Sequence, residues 1–206
     1  RLNYDHHQLM DEVAMLINTV ANKIIPEQRL SYAELFYHYL QLDPHVSEVG
    51  VLRARAIELG VRRKDDEDIG NREAWLDFLL AHVIAPQLPP QQMIFVYDYP
   101  QYQAIMAQLR PGNPPVAERF ELYLGGMELA NGYHELRNAK EQSARLQADM
   151  HLRVAREQPI YYVDNRFLEA LEAGLPDCSG VALGIDRLLM WLTGTKHIEQ
   201  VLAFPL

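Results

Sequence analysis

The chain has 206 residues, 49% apolar and 23% charged, and 19 Lys and Arg against 28 Asp and Glu give a formal net charge of −9. This composition is that of a folded globular domain, and no stretch approaches the roughly 20 apolar residues of a membrane-spanning helix. The acidic balance argues against sequence-independent nucleic-acid binding, which depends on many Lys and Arg contacts to phosphates.

The single cysteine, Cys178, excludes an internal disulfide and any multi-cysteine metal framework within this chain. Such cysteine usage fits the reducing cytoplasm. The chain begins at Arg1 without an apolar signal segment and passes directly into a helical pattern, which indicates a fragment of a longer gene product.

The chain up to Ile84 is predicted to be helical. From Tyr4 to Ile25, apolar residues recur at the three- and four-residue spacing of an amphipathic helix. Ser31 and Glu34 form the pattern of a capping box, which predicts a second helix. Two further helices are expected, one capped by Ser47 and running through Leu59, and one from Ile69 to Ile84.

The rest of the chain is predicted to contain a sheet. Met93 to Tyr97 is a short apolar run typical of a buried strand, and Glu118 to Tyr133 is predicted to form a hairpin that turns at Gly125-Gly126. The remaining predicted elements are helices at 139–157, 165–173 and 185–192 and a strand at 181–183. The fold class is therefore α+β.

The hairpin places two carboxylates together. Its register pairs Tyr123 with Glu128, which leaves Glu121 diagonal to Glu128 on one face with β-carbons roughly 7 Å apart. Such a pair can share a cation or a polyphosphate-bound metal. Alternatively, both are solvent-facing charges on an exposed sheet face.

Polar residues crowd the second strand of the hairpin. Regular alternation places Asn131, Tyr133 and Glu135 on the face opposite Glu128. For all of them to line one pocket, the strand must bulge or kink near Gly132. Alternatively, the strand ends in a turn at Asn131-Gly132, and Glu135 opens the next helix.

A glycine-spaced strand, with Gly180, Ala182 and Gly184 at alternate positions, runs into a helix that begins near Arg187. Small side chains let a ligand approach the backbone, and an arginine in the first helical turn can clamp a phosphate. The alternative is an ordinary junction in which Asp186 and Arg187 form a local ion pair.

Together, these segments resemble the second half of the catalytic domain of lysyl-type class II aminoacyl-tRNA synthetases. Residues 180–187 resemble motif 3 of that class, and residues 118–136 resemble the lysyl-type stretch before it. The resemblance covers nearly the whole chain. It implies part of a class II antiparallel sheet flanked by helices, with a helical N-terminal portion.

The resemblance also implies a domain organisation. Residues 1–206 form the C-terminal part of one catalytic domain, with an insertion-like helical region at about 1–88 and the motif 3 region at about 89–206. Motif 1, which serves dimerisation in this class, and motif 2, which contacts adenine and the α-phosphate, are not found. We therefore expect an inactive fragment of a homodimeric enzyme.

Within this family, residues 99–107, 128–136 and 176–182 are most similar to the elongation factor P lysine ligases, paralogues that modify a protein instead of a tRNA. Ala182 stands where the synthetases proper usually have glycine, which is consistent with a preference for (R)-β-lysine over α-lysine. Asn138 replaces an aspartate common to both groups.

Site roles follow from the resemblance. On the ATP side, Glu121 and Glu128 hold Mg²⁺ on the phosphates, Arg187 contacts the γ-phosphate, and Gly184 belongs to the ATP-binding set. Catalysis is assigned to Arg187, Glu121 and Glu128.

On the amino-acid side, Asn131 lies near the carboxylate or amine of lysine or β-lysine, and Tyr133 packs on its aliphatic chain. Glu135 pairs with its ammonium group, and Ala182 shapes the pocket. The implied reaction forms an aminoacyl-adenylate and transfers the acyl group to a lysine side chain of elongation factor P.

Two alternatives remain open at this stage. The chain can belong to a lysyl-tRNA synthetase that charges tRNA(Lys), or to an inactive paralogue that acts as a binding module. No membrane association is expected in any of these cases.

Overall fold

The computed structural model describes residues 1–205 and combines helices with a single sheet, which confirms the α+β class. The helices are α1 (His6–Ala21), α2 (Tyr32–Leu40), α3 (Val49–Glu58), α4 (Arg72–Leu79), α5 (Ala139–Ala155), α6 (Asn165–Ala173) and α7 (Ile185–Thr193). The strands are β1 (Glu27–Ser31), β2 (Met93–Pro100), β3 (Leu109–Arg110), β4 (Val116–Leu124), β5 (Met127–His134) and β6 (Ser179–Leu183). Within the described residues, no helix is long and apolar enough to cross a membrane.

The sheet has the strand order β1-β2-β4-β5-β6, and β3 pairs with β4 beside this path. All pairings are antiparallel except that of β1 with β2, which is parallel. The prediction that the chain is helical up to Ile84 is wrong at β1. This strand, with the sequence Glu-Gln-Arg-Leu-Ser, has no apolar run, and its pairing with buried β2 determines its conformation.

The helix boundaries confirm part of the prediction and correct the rest. Ser31 and Glu34 form the expected capping box of α2. Ser47 does not cap α3, because the helix begins after Glu48, which makes no side-chain cap bond. The Ser47 carbonyl instead accepts a hydrogen bond of 3.0 Å from Arg72 Nε, which ties this turn to the start of α4.

The predicted helix from Ile69 to Ile84 is also shorter than expected. It begins at Arg72 after the Asn71 cap, and beyond Leu79 it changes to a π-helical turn over Leu80–Ile84 and a 3₁₀ turn over Ala85–Gln87. Pro86 has no backbone N–H to donate to the preceding turn, which favours the end of regular α-helix at this point.

The core consists of two layers on opposite faces of the sheet. On one face, α2 packs on β2, and α3 and α4 complete a cluster with alternate residues of that strand; on the other face, α1 clusters with the intervening residues. The first layer includes Tyr32, Leu35, Phe36, Trp75 and Leu76 with Ile94 and Val96 of β2. The second includes Leu9, Met10, Val13 and Ile17 with Met93, Phe95, Phe120 and Leu122.

Gly132 is needed for packing on the α1 face. It pairs with Phe120 across β4 and β5, and a β-carbon at this position would overlap the fully buried Phe120 ring. We expect Gly132→Ala to lower the free energy of unfolding by about 1–3 kcal/mol, because the ring must move within a filled core.

Thermal unfolding tests this expectation, with a shift of about 2–4 °C per kcal/mol for a chain of this size. Gly50→Ala in α3 is the matched control, because its added β-carbon would have nothing within 4 Å. Equal melting temperatures for Gly132→Ala and the wild type would contradict the packing role.

Candidate functional site

A bulge in β5 brings the predicted polar residues to one face of the sheet. Tyr123 pairs with Glu128 as predicted, but Leu122 pairs with Ala130, so Leu129 is an extra residue in the ladder. Glu121 consequently lies opposite Asn131. The face on which Glu121 and Glu128 lie therefore also carries Asn131 and Tyr133.

This arrangement corrects the predicted position of the bulge. The irregularity falls at Leu129, whose buried side chain packs in the core, and not near Gly132. The alternative of a turn at Asn131-Gly132 is also wrong, because β5 continues to His134 and the next helix begins at Ala139. A bulge of this type does not require glycine, so the sequence gives no local signal for it.

Strand β6 completes this face. Ala182 pairs with Asn131, and Gly180 pairs with Tyr133. A β-carbon at Gly180 would lie 2.5 Å from Glu135 Oε1, so the Glu135 carboxylate lies directly over the glycine. Gly180 and Ala182, the small residues predicted to let a ligand approach the backbone, thus lie on the surface that also carries the Glu135 carboxylate.

Glu121 is the most enclosed acid of this face, with 8% of its surface exposed. Its Oε2 accepts hydrogen bonds of 2.7 Å from the hydroxyls of Tyr99 and Tyr123, and its Oε1 accepts one from Arg119. The interpretation of Glu121 as a solvent-facing charge is therefore wrong. A carboxylate has about four lone-pair positions, so roughly one remains for a further ligand.

Glu128 and Arg187 lie together at one end of the face. Arg187 is the third residue of α7, and its Nη1 donates a 2.6 Å hydrogen bond to the Glu128 carbonyl. Burial and the charge of Glu121 raise the pKa of Glu128, while Arg187 acts in the opposite direction. Arg187 is exposed to solvent and contacts β5 instead of pairing with Asp186.

Gly184 is the cap residue at the start of α7. Its N–H donates to the Leu129 carbonyl at 2.8 Å, which ties the helix start to the bulge in β5. The aliphatic part of Arg187 lies 3.5 Å from the position of a β-carbon at Gly184. The bulge and the helix start are thus held together beside the acidic pair.

Glu135 lies toward the other end, beyond Tyr133. Burial raises the pKa of its carboxyl group, and the charge of His134 acts against this shift. Along β5 the face therefore carries an acid beside an arginine at one end and an amide and an aromatic ring in the middle, and a second acid follows just beyond the end of the strand. This order suits an extended ligand with a cationic terminus.

Arg119 is a residue of this face to which the sequence analysis gave no role. Its guanidinium is almost completely buried and donates to Glu121, to the Gln103 carbonyl at 3.0 Å and to Asn131 Oδ1 at 3.3 Å. The only sequence signal was its alternation with Glu121 in β4. Its burial could not be inferred without the strand register.

Comparison with known proteins identifies the family of the chain. A family described as "tRNA synthetases class II (D, K and N)" matches residues 3–206. The chain belongs to this class II synthetase family. Within residues 1–205, no group of three or more His, Cys, Asp or Glu side chains is arranged to hold a metal ion. A metal bound by Glu121 and Glu128 therefore stays a prediction.

Three relatives of the synthetase domain carry the name elongation factor P–(R)-β-lysine ligase. The protein from Vibrio cholerae serotype O1 is 43% identical over 210 residues, covering 100% of this chain and 63% of the relative. Those from Salmonella arizonae (41%) and Haemophilus influenzae strain PittGG (42%) each cover 99% of this chain and 62% of the relative. The synthetase domain described here thus spans less than two thirds of these proteins.

Asn138, where the resemblance implies an aspartate, has a structural role in the chain. It caps α5, and its Oδ1 accepts hydrogen bonds of 3.1 Å from the N–H groups of Lys140 and Glu141. Asparagine and aspartate are about equally good in this position. The substitution therefore preserves the helix start.

A charged network lies on the opposite face of the sheet and joins β4, β5 and the residues just before β6. His134 contacts Glu118 through Nδ1 at 2.6 Å and Asp177 through Nε2 at 2.9 Å. Burial lowers the pKa of His134, but the hydrogen bonds to Asp177 and Glu118 outweigh it and raise the pKa overall. Protonated His134 therefore stabilises the folded chain.

This network predicts a pH dependence of stability. Because the folded-state pKa of His134 is raised, its contribution is complete below about pH 6.5 and is lost as the pH rises through the folded-state value. We expect the free energy of unfolding to fall over that window, and to fall less in His134→Gln. Urea unfolding across pH measures it, with His151→Gln on the exposed side of α5 as the control; equal slopes for wild type and His134→Gln would contradict the prediction.

Proposed function

We propose that this chain supplies the amino-acid side and part of the phosphate side of an ATP-dependent ligase that activates a lysine-type amino acid. One observation carries the proposal. Glu128, Asn131 and Tyr133 lie in this order along one face of β5, and Glu135 follows just beyond the strand over Gly180, so that a cationic amino acid and a polyphosphate can bind end to end.

The amino-acid end is proposed to lie between Asn131 and Glu135. A desolvated ammonium group requires a close carboxylate partner, and the half-buried Glu135 supplies one. The ring of Tyr133, also half-buried, is placed to cover the aliphatic chain of the substrate. Ala182, opposite Asn131, adds a methyl group to this surface, which we propose favours (R)-β-lysine over α-lysine.

The phosphate end is proposed to lie at Glu128, Gly184 and Arg187. The exposed Arg187 guanidinium can donate two parallel hydrogen bonds to the γ-phosphate. Mg²⁺ is normally bound by one or two carboxylates together with phosphate oxygens and waters, which fits Glu128 and the remaining lone pair of Glu121. Bound there, the ion would neutralise phosphate charge.

The proposed reaction has two steps. A carboxylate oxygen of the amino acid attacks the α-phosphorus of ATP, the bond to the β-phosphate oxygen breaks, and pyrophosphate leaves. The neutral amine of an acceptor lysine then attacks the acyl carbon, AMP leaves, and the amine loses a proton. This chain's residues contribute by orienting the two substrates and stabilising charge, not by acting as a general base.

Elongation factor P is the proposed acceptor, because the relatives with 41–43% identity are named as its ligases. Charging of tRNA(Lys) by a lysyl-tRNA synthetase is the less favoured alternative. An inactive binding module is also less favoured, because Glu121, Glu128, Glu135 and Arg187 are all present on the shared site. A cytoplasmic location is proposed from the single free cysteine, Cys178.

We also propose that the 206 residues alone are inactive and that the complete protein is a homodimer. The support for inactivity is that the chain spans 63% of the Vibrio cholerae relative and that no motif 1 or motif 2 is recognised in it. The homodimer is proposed from the class resemblance, in which motif 1 serves dimerisation. ATP–pyrophosphate exchange tests the whole proposal. We expect exchange by the complete protein with (R)-β-lysine exceeding that with α-lysine, and none by the isolated chain.

Exchange by the isolated chain would overturn the fragment proposal alone. Absence of exchange by the complete protein with either lysine isomer would overturn the proposed activation step.

A further inference from the structure

Arg119 lies directly beneath the proposed amino-acid site, although it is 5% exposed and too enclosed to bind the substrate's carboxylate from solution. Its guanidinium lies 4.3 Å from the centre of the Tyr99 ring and 5.8 Å from that of Tyr133. The charge of Glu121 offsets its burial and keeps its pKa raised, so Arg119 is a permanent cation.

The contact with Asn131 determines how that amide is oriented. Arg119 Nε donates to Asn131 Oδ1, and a guanidinium has donors but no acceptor, so the amide atom that faces it must be the oxygen. The Asn131 NH₂ group is thereby directed away from Arg119.

We propose that Arg119 is a positioning residue that makes Asn131 a donor toward the substrate. This proposal rests on the proposed function and deepens it. An amide N–H at this point donates to a carboxylate or acyl oxygen and disfavours an ammonium, so Arg119 sets which end of the amino acid lies at Asn131. The ammonium end is then left for Glu135, and the reacting carboxylate lies toward Glu128 and Arg187.

Arg119 also donates a hydrogen bond to Glu121. Replacing Arg119 by an uncharged residue would therefore leave the buried Glu121 carboxylate without its cation. Arg119→Lys is therefore the informative variant. It keeps the charge beside Glu121, but a single ammonium cannot reproduce the separate contacts to Glu121, Gln103 and Asn131. The Asn131 amide becomes free to rotate.

The test measures binding of two probes to the complete protein by calorimetry. One probe is (R)-β-lysine, and the other is its amino alcohol, in which CH₂OH replaces the carboxylate and can accept or donate. Wild type is expected to prefer the amino acid. In Arg119→Lys we expect this preference to fall about tenfold, the value of roughly one charge-assisted hydrogen bond.

Arg110→Lys is the matched control, because Arg110 also pairs with a carboxylate, Asp98, but lies on β3 outside the site. An unchanged preference in Arg119→Lys, with both probes weakened equally, would show a merely structural role and overturn the inference. Failure of wild type to bind either probe would instead overturn the proposed function on which it rests.

Discussion

In the complete protein, Glu135→Gln is expected to reduce kcat/KM for the lysine-type amino acid by at least about 100-fold in ATP–pyrophosphate exchange. Glutamine has nearly the same shape, so the carboxamide can occupy the space above Gly180. It cannot pair with a desolvated ammonium group, however. The loss is therefore expected in KM for the amino acid, with KM for ATP unchanged.

The raised pKa of Glu135 adds a second expectation. Protonation removes the negative charge, so KM for the amino acid rises as the pH falls toward that raised pKa, and Glu135→Gln lacks this dependence. Glu169→Gln, on the exposed side of α6, is the control. A Glu135→Gln enzyme with wild-type KM at neutral pH would exclude the proposed ammonium site.

Arg187→Lys is expected to lower kcat for exchange by about 10²-fold, in the range seen when one donor to a developing charge is lost. The exposed guanidinium at the start of α7 is anchored to the Glu128 carbonyl, which leaves other donors for phosphate. Lysine keeps the charge but lacks the planar pair of donors. KM for ATP should rise, while KM for the amino acid should not.

Arg166→Lys in α6 is the control for Arg187→Lys, because Arg166 is exposed and lies outside the site. The measurement is steady-state exchange at varied ATP concentration. If kcat for Arg187→Lys stays within about threefold of wild type, a role in transition-state charge stabilisation is contradicted.

The sequence predicts the fold well where its signals are local. The apolar run at Met93 to Tyr97, the capping box at Ser31 and the glycine pair at 125–126 each depend on neighbouring residues, and each corresponds to an element of the structure. Strand β1 has no such signal, because its conformation comes from pairing with β2. Ser47 is not the cap because α3 begins after Glu48, and Ser47 lies in the preceding turn, which is tied to Arg72, a residue distant in sequence.

In the candidate site, too, features with a local sequence signal were predictable and features set by distant contacts were not. The pairing of Tyr123 with Glu128 follows from the turn, so the acidic pair was predictable. The position of the bulge was not, because the sequence around the buried Leu129 resembles a regular strand. Arg119 could not be recognised because its importance depends on burial against Tyr99 and on the register with Asn131.

We propose that this face serves a ligase acting on elongation factor P. The most direct measurement is the mass of purified elongation factor P after incubation of the complete protein with ATP, (R)-β-lysine and an equal amount of tRNA(Lys). We predict that the factor gains the mass of one lysyl group and that the tRNA stays uncharged. Charged tRNA beside an unmodified factor would contradict the account.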